Sequence, residues 1–203
     1  MSVPTGRIRR MTSSIPESWT RIETWLANNA PRTFAELAPP AERATIARAE
    51  EAIGLAFPPS LTESLLRHDG TADGVLLPPF WMMLSTRHIV DAWTSRTDIH
   101  GPERPDAETG DPEREYGPWW HRQWIPFATN GAGDHLVVDQ RPTRQRGRIG
   151  AADHEVGCHF KTHPMWTSLP QLLDMTATAI ETGGLLDCYE RVVIDERELT
   201  WEF

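Results

Sequence analysis

Four histidines gather in the second half of the chain, His135, His154, His159 and His163, with Glu155 and Cys158 set among the last three. Imidazole nitrogens, a thiolate and a carboxylate are the donors that hold zinc. The spacing argues against a centre of that kind. His154-Glu155 is followed at the fifth position by Cys158, not by a second histidine, so the helical zinc-protease pattern is absent. The four read as loop histidines, and a metal-dependent hydrolase built on them ranks last among the readings. The run Asn130-Gly131-Ala132-Gly133-Asp134 is rich enough in glycine to cradle a phosphate, but such loops work by opening into a helix. A β-branched run follows here, so the segment reads as a tight turn with positive φ.

Nucleophiles fare no better. Ser64, Ser85 and Ser168 sit where helices start or on helix faces, without a convergent base and acid. Cys158 is next to His159 in sequence only, and neighbours on an extended chain point to opposite faces. No catalytic residue and no cofactor is expected. Arg141, Arg144, Arg146 and Arg148 fit a solvated hairpin rim. Trp119 and Trp120 are either core or the kind of aromatic anchor that protein interfaces favour.

The chain of 203 residues carries 20 basic and 29 acidic side chains, a net charge of -9. Nucleic acid needs a cationic face to displace its counterions, so it is disfavoured as a partner, and a basic protein is favoured. The two cysteines, Cys158 and Cys188, are too few for a secreted disulfide framework. No stretch approaches the roughly 20 apolar residues that span a bilayer. A cytoplasmic protein that binds neither nucleic acid nor membrane is the expectation.

The elements that must position these residues are marked by their first turns. Ser14 and Glu17 have capping-box spacing ahead of Trp19, Ile22 and Leu26, and residues 1–14 before them are expected to be a disordered extension. Ile46, Ala49 and Ile53 predict a second helix stopped by Gly54, and Ser60 with Glu63 predicts a capped third helix bearing Leu61, Leu65 and Leu66. Pro78 and Pro79 confine the apolar run from Val75 to Leu84 to an edge strand or a covering loop. A fourth helix is predicted over Ser85–Trp93. Residues 100–118, dense in proline, aspartate and glutamate, read as an acidic insertion facing solvent. Strands are predicted over Trp124–Ala128 and His135–Asp139, from Arg148, and over Arg191–Ile194, with a helix capped by Ser168 and stopped at Gly183. Helices first, then hairpins, then a helix give an α+β fold: N-terminal helices on a mainly antiparallel sheet, closed by a C-terminal helix, in one domain over 15–203.

The ordered set of motifs resembles the SUKH superfamily, which includes fungal Smi/Knr cell-wall-assembly regulators and bacterial toxin-immunity proteins. The residues that carry the resemblance are Glu50-Glu51-Ala52-Ile53-Gly54, Phe57-Pro58-Pro59-Ser60-Leu61, Leu65 to Gly70, Trp124 to Ala128, Asn130 to Asp139 and the turn at Gly147, within roughly residues 19–183. His135 stands where that family commonly has an aromatic, and the acidic insertion is longer. The resemblance implies an α+β fold, no shared catalytic residues and a face that binds protein. Asp69, Asp73, Trp119, Trp120, Asp134 and His135 are the expected partner-binding residues. The partner is expected to be a protein, in the immunity reading a basic toxin such as a nuclease, and in the alternative reading the target of a cytoplasmic scaffold or regulator.

Overall fold

The computed structural model describes residues 12–100, 119–160, 166–195 and 197–203. The predicted extension before Thr12, most of the acidic insertion and His163 therefore lie outside the described residues.

Helix α1 (Ile15–Asn29) starts at the predicted box, where Glu17 N–H donates to Ser14 Oγ and Ser14 N–H donates to Glu17. Its face of Trp19, Ile22 and Leu26 is buried, and Trp19 Nε1 donates to Ser64 Oγ at 3.0 Å. A short helix α2 (Pro31–Ala35), not predicted, follows on Pro31, whose fixed φ suits a first helical position. Helix α3 (Arg43–Ile53) buries Ile46, Ala49 and Ile53 and ends on Gly54 at φ 69°. Helix α4 (Pro59–Leu65) differs from expectation at its start. Pro58 is its cap and Pro59 its first residue, so Ser60 lies inside the first turn and makes no capping hydrogen bond.

The apolar run from Val75 serves both predicted purposes. Leu76, Leu77 and Trp81 are buried cover, and Met82–Met83 form an edge strand, β1. Helix α5 (Thr86–His100) runs nearly two turns beyond the predicted end at Trp93. Then come β2 (Trp124–Thr129), β3 (His135–Asp139), β4 (Ile149–Asp153), β5 (Gly157–His159), α6 (Leu169–Thr182), β6 (Glu190–Ile194) and β7 (Glu198–Glu202). Strands β1 to β5 form one sheet in chain order with every pair antiparallel, and β6 and β7 form a separate hairpin. The fold is α+β. Pro126, which has no N–H for a ladder, sits at the register shift of β2, where a bulge tolerates it.

Alternation along the strands gives the sheet two buried faces. Leu136, Val138 and Ile149 join the main core with the helices, while Val137, Ala152 and Cys158 turn the other way onto Trp120, Trp124 and Phe160. Trp93 of α5 packs against both clusters. At one end of this second face, Asp139 is fully buried, with its carboxylate held by Arg141 Nε at 2.9 Å, Arg141 Nη2 at 2.8 Å and Arg148 Nε at 3.1 Å. Arg148 also lies over the Phe160 ring at 3.8 Å. Half of the predicted solvated rim is thus interior: Arg141 and Arg148 are buried because a buried carboxylate recruits them, while Arg144 and Arg146 remain exposed.

Candidate interaction surface

The turns 130–134 and 154–156 leave the sheet at the same end, since β2 and β4 both finish there. The first turn is closed by one side chain. Asn130 Oδ1 accepts from Ala132 N at 2.9 Å and Asp134 N at 3.2 Å, and Asn130 Nδ2 donates to Asp134 Oδ2 at 2.7 Å. Gly131 at φ 75° and Gly133 at φ 108° take backbone conformations that suit glycine, as the sequence predicts for a tight turn. The second turn is then tied to the first: Asp134 Oδ1 accepts from His154 N at 2.9 Å and lies 2.7 Å from His154 Nδ1. Helix α5 joins them through Arg96, which donates to the Gly133 carbonyl.

These contacts set the protonation states. Burial works to raise the Asp134 pKa, but the hydrogen bonds from His154 and Asn130 outweigh it and hold the group below the ordinary aspartate range. The bond to Asp134 raises His154, with Glu155 and Asp153 adding to it. His135 behaves oppositely. Burial first, and the Arg96 guanidinium second, lower it to about 4, and its Nδ1 is buried with no hydrogen-bond partner among the described residues. It is a neutral, half-buried ring beneath the turn.

Apolar side chains surround this charged corner. Ile99, one turn on from Arg96, is 69% exposed, Val156 in the second turn is 61% exposed, and Trp119 is 37% exposed with its ring stacked on His100 at 6.5 Å. Trp120 instead points inward at 4% exposure, where its Nε1 donates to Thr97 Oγ1 at 3.2 Å and its ring meets Trp124 edge-on. Of the tryptophan pair, Trp119 is open to solvent and Trp120 is core.

The six expected partner-binding residues do not share one face. Trp119, Asp134 and His135 lie toward the C-terminal half of α5. Asp69 caps the opposite end of that helix, accepting from Thr86 N at 2.6 Å and Thr86 Oγ1 at 3.1 Å. Fifteen residues of helix put about 22 Å between the two ends. Asp73 is exposed near Glu36, on the Asp69 side of the molecule. Asp69 is therefore a capping residue, and Asp69 with Asp73 falls outside the surface around Asp134.

Asp134, Asp153 and His154 bring three atoms able to hold a metal within 4.8 Å of one another. Their lone pairs already face protein donors: Asp153 Oδ1 accepts from Glu155 N at 2.7 Å and Val156 N at 3.0 Å, and Arg96 adds positive charge beside both carboxylates. The arrangement fixes two loops. Of His135, His154 and His159, the sequence histidines among the described residues, His154 alone belongs to it. Cys158 is equally unsuited to chemistry, because burial, with Asp139 adding to it, pushes its thiol well above the ordinary range and keeps it protonated.

Sequence reasoning named Asp134 and Trp119 and did not name Arg96, Ile99 and Val156, which the structure places at the same end of the sheet. Arg96, Ile99 and His100 share i, i+3, i+4 spacing, which would have marked one helix face had α5 been predicted to its full length.

The SMI1 / KNR4 family (SUKH-1) pattern matches residues 40–175. The chain is also similar to the cell wall assembly regulator SMI1 of Saccharomyces cerevisiae, 24% identical over 163 residues that cover 62% of this chain and 32% of that protein. It spans about a third of that relative's length. No helix among the described residues is long and apolar enough to cross a membrane. The α+β architecture and a family match over most of its length show that this chain belongs to the SMI1 / KNR4 family (SUKH-1).

Proposed function

We propose that this chain is a non-enzymatic, cytoplasmic binding protein that neutralises a cognate basic toxin, and that it does so with the sheet end built around Asp134. Family membership supports a protein-interaction or regulatory role, and members are generally non-enzymatic. The observation that carries the choice of surface is the locked corner of Arg96, Asn130, Asp134 and His154, ringed by exposed Ile99, Trp119 and Val156. A partner meets aromatic and aliphatic anchors on loops whose geometry is already fixed, so little ordering entropy is lost on association. The net charge of -9 favours a basic partner and speeds encounter with it.

The test is co-expression with the protein encoded beside its gene, scoring rescue of growth and co-purification. Rescue with a stable complex that Trp119→Ala weakens supports the reading. Neither rescue nor complex overturns it and leaves the regulator reading, which the similarity to a cell wall assembly regulator favours.

A further inference from the structure

The terminal elements lie outside the family-matched segment 40–175 and hold one another. Arg32 N donates to the Arg197 carbonyl at 2.9 Å, Leu199 N donates to Thr33 Oγ1 at 2.8 Å, and the Arg191 guanidinium lies over the Trp25 ring at 4.9 Å. The β6–β7 hairpin is thus anchored on α1 and α2. Its register sorts the side chains. Arg191 and Val193 pair with Trp201 and Leu199, which are buried, so these four face inward. The opposite face carries Glu190 across from Glu202, Val192 across from Thr200, and Ile194 across from Glu198.

On that outward face Glu190, Ile194 and Glu202 are exposed, while Val192 and Thr200 are half-buried. Ile194 is 48% exposed, whereas Phe203, one position beyond the outward Glu202, falls on the other side, where its ring meets Tyr189 edge-on at 5.4 Å. Glu190 and Glu202 are like charges on directly opposed positions, an arrangement that costs stability by itself. The one cation within the strands, Arg191, is turned inward onto Trp25, so it neutralises neither glutamate on the outer side. Of the outward carboxylates, Glu198 is paired, to Arg32 at 3.2 Å, and Arg197 is exposed in the turn. Residues 187–203 hold six acidic and two basic side chains, a net of -4 within the chain's -9.

We propose that the outward face of the β6–β7 hairpin is a docking surface for a basic, partly apolar segment of a protein partner. Cationic side chains of that segment lie over Glu190 and Glu202 and relieve their repulsion, while its apolar side chains cover Val192 and Ile194. Charge excludes the other occupants. A nucleic acid, an anionic bilayer or a second copy of this acidic face would each bring negative charge onto Glu190 and Glu202. The inference is independent of the Asp134 surface, which lies on other elements.

The experiment titrates the isotope-labelled full chain with a short synthetic peptide of alternating lysine and valine, and with its glutamate–valine counterpart, following backbone amide shifts. The expected result is shift changes confined to the 190–202 hairpin with the lysine peptide, weakening as salt is raised. The glutamate peptide produces none. Glu190→Lys with Glu202→Lys lowers the affinity by about tenfold or more, and Trp119→Ala leaves it unchanged. Should the reversed charges disturb the fold, Glu190→Gln with Glu202→Gln serves instead, since it only removes a repulsion. Shift changes located elsewhere, absent, or unaffected by both double variants overturn the proposal.

Discussion

Asp139 is a fully buried carboxylate that accepts from two buried arginines and from the Arg141 backbone N–H at 3.1 Å. Removing one member of such a network leaves charge in a medium of low dielectric without its partner. Asp139→Asn is expected to cost about 3–5 kcal/mol, read as a lowered midpoint of denaturant unfolding. An unchanged midpoint would show that Arg141 and Arg148 find other partners. The surface pair Asp134–His154 instead predicts a pH dependence. Asp134 is held below its ordinary range, so its contribution is present above the unfolded aspartate pKa and is lost as pH falls through the lowered folded value. His154 is raised, so its contribution is present below the unfolded histidine pKa and is lost as pH rises through the raised folded value. His135 beneath the turn, lowered to about 4 by burial, contributes above the unfolded histidine pKa and loses that contribution as pH falls, so the turn 130–134 should be best protected near the ordinary histidine range and less so in more acidic or more alkaline solution. Amide exchange of residues 130–134 checks this, and His154→Ala should remove the loss on the alkaline side. Glu155, Asp153 and Arg96 face the same pair and shape the profile without reversing these signs.

At the level of elements, α5 is set by its two ends. Asp69→Ala removes the acceptor for Thr86 N–H and is expected to cost about 1–2 kcal/mol. Gly70, the next residue, has φ 82°, and a Cβ there would stand 2.6 Å from Ser85 N and 2.7 Å from Leu84 C, both backbone atoms. Gly70→Ala is expected to cost about 3 kcal/mol from strain and overlap together; thermal unfolding of the two variants measures both. The helices were legible where a local signal marked them. Ser14, Gly54, Ser168 and Gly183 cap or stop helices as their types predict. Two boundaries misled for physical reasons. Pro58-Pro59 starts α4 without a side-chain cap, and α5 continues past Trp93 because its second half packs on the sheet's outer face through Trp93 and Thr97. The inward turn of Arg141 and Arg148 was not legible, because an arginine on a polar hairpin reads as solvated until a buried carboxylate is placed beside it. Strand β5 was missed because it has only three residues, and β7, five residues long like its predicted partner β6, was missed although Leu199 and Trp201 alternate with polar neighbours.

Across the whole molecule, a family scaffold over 40–175 carries one candidate surface, and the joined termini carry another. The split also explains which sequence expectations came together. Asp134 and Trp119 meet at one end because the meander returns its turns to the C-terminal half of α5, while Asp69 serves the other end of that helix. The opposed glutamates predict a stability effect separate from any binding. Glu190→Gln with Glu202→Gln should raise stability by a few tenths of a kcal/mol, less at high salt, as thermal unfolding at two salt concentrations would show.

The most direct test of the central claim is calorimetric titration of this chain with the protein encoded beside its gene, comparing the unchanged chain with Trp119→Ala and Asp134→Ala. The account predicts a tight, salt-sensitive complex weakened by about thirtyfold or more in each variant, with helix content unchanged. A complex of equal affinity in all three proteins would contradict the assignment of the surface, and no complex with that protein would contradict the proposed toxin-neutralising function.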